Sequence, residues 1–209
     1  MADTTRATHQ SPIQRYSNVA VFFHWTTVTL VVTQAYLGFT FDWMDPGPAR
    51  VELFTWHKTV GALILLTTLA RLAYRLKNPP PPYPTELPRW ERVAGTWSHR
   101  IFYALLILMP LSGLTAVSAH EHGSFTRLAG GIPLPVIPGI SKPMGDLAGE
   151  IHVILVAVLL LGILIHVAAA LKHQFIDRSS AADRMPPFRI PGDRQPVIGQ
   201  GSRARPIVE

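Results

Sequence analysis

Apolar residues gather into four long runs, at about residues 19–41, 53–74, 97–117 and 151–171, separated by polar, proline-bearing stretches. Each run is close to the roughly 20 residues of helix that cross about 30 Å of hydrocarbon. Lipid offers no partner to backbone N–H and C=O groups, so isolated runs of this kind predict helices. The connection from Asp42 to Glu52 holds Pro46, Gly47 and Pro48 and reads as a turn. The next, with Pro79 to Pro82 and Pro84, can only be extended or polyproline II. Pro110 should bend the third span in its outer half. The longest connection runs from Ser118 to Glu150; its apolar core, Ile132 to Pro138, is too rich in proline to span and is expected at the outer interface.

This pattern predicts an all-α fold, an integral-membrane antiparallel four-helix bundle over residues 18–177. A disordered cytoplasmic arm, residues 1–17, precedes it, and a basic, proline-rich tail, 178–209, follows, disordered beyond about Ser180. The first run is longer than the apolar region of a signal peptide, and no small-x-small cleavage site follows it, so it is read as a retained span.

Charge orients the bundle. The formal net charge is +6, and all but four of the 19 Lys and Arg, the exceptions being Arg50, Lys58, Arg127 and Lys142, fall on the side of the two termini. By the positive-inside rule both termini are cytoplasmic. A nucleic-acid-binding module would also be basic, but it would not alternate its charge loop by loop. With zero cysteines the chain has no disulfide, iron–sulfur cluster, thiolate zinc site or covalent haem attachment.

Four histidines lie inside the apolar runs: His24, His57, His152 and His166. An ionisable side chain at membrane depth is costly and marks a candidate functional site. His152 and His166 are 14 residues apart in one span, which leaves them within about 40° of one face and about 21 Å apart along the helix axis. His24 is level with His166 near the cytoplasmic side, while His57 and His152 each fall in the first turn of their spans at the other side. Two level pairs predict two non-covalent b-type haems, each held by bis-histidine iron: His24 with His166 at an inner site, His57 with His152 at an outer one.

The neighbours suit a porphyrin. Gly38 and Gly61 leave room for a flat macrocycle, though close helix packing accounts for them equally. Arg71 and Arg75 lie at inner depth, where a guanidinium either pairs with haem propionates or snorkels to headgroups, the latter favoured for Arg75. His99 and His173, beside Lys172 at the cytoplasmic rim, are candidates for a quinone carbonyl or a proton relay, with interfacial snorkelling the favoured alternative. His9, His120 and His122 read as solvated, and Trp25, Trp43, Trp56 and Trp97 as interface anchors.

The residues resemble the bacterial cytochrome b561 family of four-span di-haem proteins. The resemblance covers about residues 15 to 177, through Arg15-Tyr16-Ser17, His24-Trp25, His57 with Gly61, Arg71 followed by Arg75-Leu76-Lys77, Glu150-Ile151-His152, and the stretch from His166 to His173. It implies haem ligation by the same four histidines and a multi-pass protein of the bacterial cytoplasmic membrane that exchanges electrons with ubiquinone. Some similar proteins oxidise superoxide at the outer face; others are cytochrome subunits of larger dehydrogenases or hydrogenases. Spacing alone does not choose between these roles, or between a homodimer and a redox-complex subunit. The expected function is therefore single-electron transfer between an outer-face donor, superoxide among the candidates, and ubiquinone. A histidine-based metal or proton transporter is the rival from another class.

Overall fold

The computed structural model describes residues 15–84, 86–179, 181, 184 and 185. Four helices, α1 (Asn18–Asp42), α2 (Pro48–Lys77), α3 (Arg89–Ser118) and α4 (Lys142–Leu171), contain the four apolar runs and extend beyond them. All four are long and apolar enough to cross a membrane. The expected disordered arm falls mostly outside the described residues; within them, the Ala20 N–H donates to Ser17 Oγ at 3.2 Å, capping α1. Helices α2 and α4 each start with a proline in the first turn, where its missing N–H costs nothing. Helix α2 stops at Lys77, as the prolines from Pro79 on demand. A π-helical turn, Lys172–Ile176, prolongs α4.

Two early starts correct the sequence reading. Helix α2 begins at Pro48 and α4 at Lys142, so His57 and His152 lie well inside their helices rather than in the first turn. The added turns of α4 are only partly apolar, which is why hydropathy alone misses them. They pack on the end of α3, where a Cβ on Gly145 would stand 2.1 Å from the Ala119 methyl.

Helix α1 packs on α2, α3 on α4, and α2 joins the two pairs through α3. Helices α1 and α4 barely touch. A core layer of Leu37, Val60, Ile64, Leu105, Leu106, Met109 and Leu159 closes the middle of the bundle. Large apolar side chains such as Phe22, Val32, Leu66, Val153 and Leu164 face outward instead. An exterior this apolar suits lipid rather than water. Pro110 sits within α3 without ending it.

The long connection is a docked cap. Strands β1 (Phe125–Arg127) and β2 (Pro133–Pro135) pair antiparallel, and the turn between them places Gly130 and Gly131 at φ 74° and 77°, a conformation that favours glycine. Lys58 Nζ donates to Thr126 Oγ1 at 2.7 Å, the Ala129 N–H to Thr59 Oγ1 at 2.9 Å, and the Ile137 N–H to Ser118 Oγ at 3.0 Å. The connection thus finds partners inside α2, at Lys58 and Thr59, and its proline-rich segment finds one on the last residue of α3, Ser118.

Within the tail, Arg184 is 6% exposed. Its guanidinium lies over the rings of Tyr16 and Tyr83, centroids 5.3 and 5.0 Å away, an aromatic cradle invisible in local composition. The rest of the tail, from residue 186, lies outside the described residues.

Candidate functional site

Two cavities lie at different depths where α1 and α4 stand apart. The first, about 410 Å³, is at the end of the bundle that carries the termini and is lined by His24, Arg71, Arg75, His99, Tyr103 and His166 among others. The second, about 210 Å³, is toward the opposite, looped end and is lined by Gln34, Gly38, Phe41, His57, Met109 and His152 among others. Each cavity holds one of the histidine pairs expected from depth. Leu159, halfway between His152 and His166 on α4 and 3% exposed, belongs to the layer between them.

At the looped end the rings of His57 and His152 lie with centroids 6.2 Å apart. His152 Nδ1–H donates to the Met109 carbonyl at 2.9 Å, with Ser112 Oγ at 3.2 Å. This fixes the tautomer and leaves Nε2 as an acceptor, the preparation usual for a metal-binding imidazole. A Cβ on Gly113 would stand 3.1 Å from the His152 ring, and one on Gly38 3.2 Å from His57 Cε1. His57 is less prepared: Gln34 Nε2 donates to its Nε2 at 3.0 Å, while His57 Nδ1 and Gln34 Oε1 are buried without partners. Ligation through Nε2 therefore requires Gln34 to turn aside.

At the terminal end Arg71 Nη2 donates to His24 Nδ1 at 3.3 Å. Arg71 and Arg75 both lie over the Tyr103 ring, at 5.7 and 5.9 Å. Among the described residues neither forms a salt bridge with a carboxylate, so this end of the cavity offers unneutralised positive charge. His99, for which snorkelling was favoured, instead lines the cavity with its ring centroid 6.3 Å from that of His166. Phe102 packs on His166 from another side, at 5.5 Å.

The remaining candidates divide. Gly61 lines neither cavity; a Cβ there would meet Gln34 Nε2 at 3.3 Å, so its smallness serves helix packing. Lys172 and His173 line the terminal cavity, but Lys172 Nζ is bonded to Glu91 at 3.2 Å and Asp177 at 2.6 Å, and His173 Nδ1 to Asp177 at 2.9 Å. Glu91, His173 and Asp177 could hold a metal ion by spacing; the Lys172 ammonium already supplies the cation. Its hydrogen bond holds the Asp177 carboxyl below the ordinary range. His120 lies 3.4 Å from Asp146 on the exposed cap.

Gln34, Ser112 and Gly113 escaped the sequence reading. The signal for Gln34 was present, as an amide in a retained span, and the other two required knowing which face of α3 meets α4.

The side chains lining the cavities fit haem: imidazoles, one with its tautomer fixed, glycines where a Cβ would crowd the rings, and at one end guanidinium groups that form no salt bridge among the described residues. The sequence pattern of prokaryotic cytochrome b561 matches residues 15–187. Cytochrome b561 homolog 2 of Escherichia coli K12 is 28% identical over 176 residues, 82% of this chain and 91% of that protein. Cytochrome b561 homolog 1 of the same organism is 25% identical over 184 residues, 85% of this chain and 99% of it. A Yersinia pestis protein named probable superoxide oxidase CybB is 25% identical over 175 residues, 83% of this chain and 97% of it. Family, four membrane-spanning helices and paired histidines agree: the chain belongs to the prokaryotic cytochrome b561 family, haem-binding electron-transfer proteins of the bacterial inner membrane.

Proposed function

We propose that this protein is a di-haem electron wire that takes single electrons from a donor at the looped, outer face and delivers them to ubiquinone at the cytoplasmic, terminal face. The facing rings of His57 and His152, 6.2 Å apart at one depth, with His24 and His166 around a second cavity at another, carry this reading. Bound haem would supply a reversible one-electron iron couple, held by His57 and His152 at one site and by His24 and His166 at the other. The chain's own residues do the rest. Met109 and Ser112 orient His152, and the Leu159 layer keeps the two sites apart. Arg71, beside His24, would be placed to pair with a haem propionate.

The same cavity supports the quinone site. Its walls are mostly apolar, and its polar groups are chiefly donors: Arg71, Arg75, His99 and His173. A quinone ring, which presents acceptor oxygens, matches this chemistry. Quinone reduction also consumes protons, and the His173–Asp177 pair at the rim is positioned to relay them. The orientation follows from the basic residues gathered at the terminal end.

Superoxide is the donor suggested by the name of the Yersinia relative. The test is direct: haem quantification should give two per chain, and the reconstituted protein should reduce ubiquinone when superoxide is generated outside. Two haems with no superoxide reaction would favour the second reading, a cytochrome subunit fed by a partner dehydrogenase or hydrogenase. A haem-free purified protein from haem-sufficient cells would favour the metal or proton transporter.

A further inference from the structure

Residues that the electron-transfer reading leaves unused meet at the terminal end. Arg184 lies beyond the last helix, yet it is 6% exposed. Its guanidinium is held over the Tyr16 and Tyr83 rings and donates through Nη2 to the Pro81 carbonyl. Its own backbone carbonyl accepts from the Tyr16 N–H at 3.2 Å. One side chain thus ties together the approach to α1, the proline-rich connection after α2, and the tail. Tyr83 is itself fixed, its hydroxyl standing 2.9 Å from where a Cβ on Gly95 of α3 would be.

The tie lies across a cavity. Tyr16, Tyr83, Arg184 and Met185 line the same space as His24 and His166. On another side that space is bounded by α1 and α4, which barely touch; they contribute Ala20 and His24 from α1, and Ile165, His166, Ala169 and Ala170 from α4, so small side chains flank the gap between them.

We propose that Arg184 is the pin of a clasp that closes the terminal cavity toward the aqueous phase, and that the slot between α1 and α4 is the route by which a lipid-dissolved ligand reaches it. That the ligand is a quinone rests on the function proposed above; the clasp and the slot do not. The clasp residues are aromatic and cationic rather than an ion pair: stacking excludes water from the mouth, and Glu91, which lines the same cavity, is already paired with Lys172.

The absence of cysteine from the chain makes the test clean, because one introduced thiol is the only thiol. In inverted membrane vesicles, Met185→Cys should react slowly with a membrane-impermeant maleimide, and adding Arg184→Ala should speed labelling at least tenfold. Arg184→Lys should fall between, since an ammonium lacks the planar fork that stacks. An unchanged haem spectrum in each variant certifies the fold. Equal labelling rates with and without Arg184 would overturn the clasp. A spin label on Ala169→Cys should collide with lipid-dissolved oxygen and not with an aqueous nickel chelate; the reverse preference would overturn the slot. If labelling and collisions come out as expected but no variant binds a ubiquinone analogue, the clasp stands and the quinone reading alone fails.

Discussion

The imidazole of His57 on α2 and that of His152 on α4 lie edge to face with ring centres 6.2 Å apart, although 94 residues, including the whole of α3, lie between them in the chain. Each pair of imidazoles should therefore govern one haem. His152→Ala should leave about one haem per chain, with a single component in a potentiometric titration, and His24→Ala should remove the other. Loss of both haems from either change, or of neither, would contradict the pairing.

In the proposed di-haem arrangement Gln34 would compete with iron for His57. Its amide donates to the nitrogen that ligation uses, and releasing such a hydrogen bond costs about 1 kcal/mol. Gln34→Leu should thus tighten haem at the looped-end site by roughly fivefold. Haem retention during dilution or competition with apomyoglobin measures it, and weaker retention would show that Gln34 supports the loaded site instead.

Gly113 is tolerant of nothing larger. With the His152 ring 3.1 Å from where a Cβ would stand, Gly113→Val should cost about 1–3 kcal/mol by overpacking and empty the looped-end site before the terminal one. The optical spectrum and haem count of the purified variant check this, and Gly113→Ala should show the milder form.

Leu159, at 3% exposure, fills the layer between the two sites. Leu159→Ala should lower stability by about 2–5 kcal/mol, seen as an earlier thermal transition in detergent, while both haems remain. Destabilisation of Leu161→Ala to the same degree would refute a special role, since Leu161 is 58% exposed.

Acid should undo the rim. The folded Asp177 carboxyl titrates below its ordinary value because Lys172 and His173 bond it. Its contribution is present above the unfolded carboxylate range, about pH 4, and disappears as pH falls through the depressed folded value. The difference in thermal stability between the native protein and Asp177→Asn should be constant from pH 5 to pH 7, taken as roughly the fully ionised range, and shrink toward zero below it. A difference that grew on acidification would invert the assignment.

What one-dimensional order could determine was periodic or cumulative. Hydropathy marks four membrane helices because lipid demands continuous apolar surface, and counting residues places His24 level with His166 and His57 level with His152 because helical rise is constant. Contacts across the bundle obey no such count. That His99 turns into the cavity beside His166, that Met109 and Ser112 set the tautomer of His152, and that Gln34 rather than a porphyrin explains Gly61 depend on the rotation of α1, α2 and α3 about their axes. Arg184 is the extreme case: in sequence it sits in a polar, proline-rich tail, and only the convergence of Tyr16, Pro81 and Tyr83 at one point in space gives its charge a buried place.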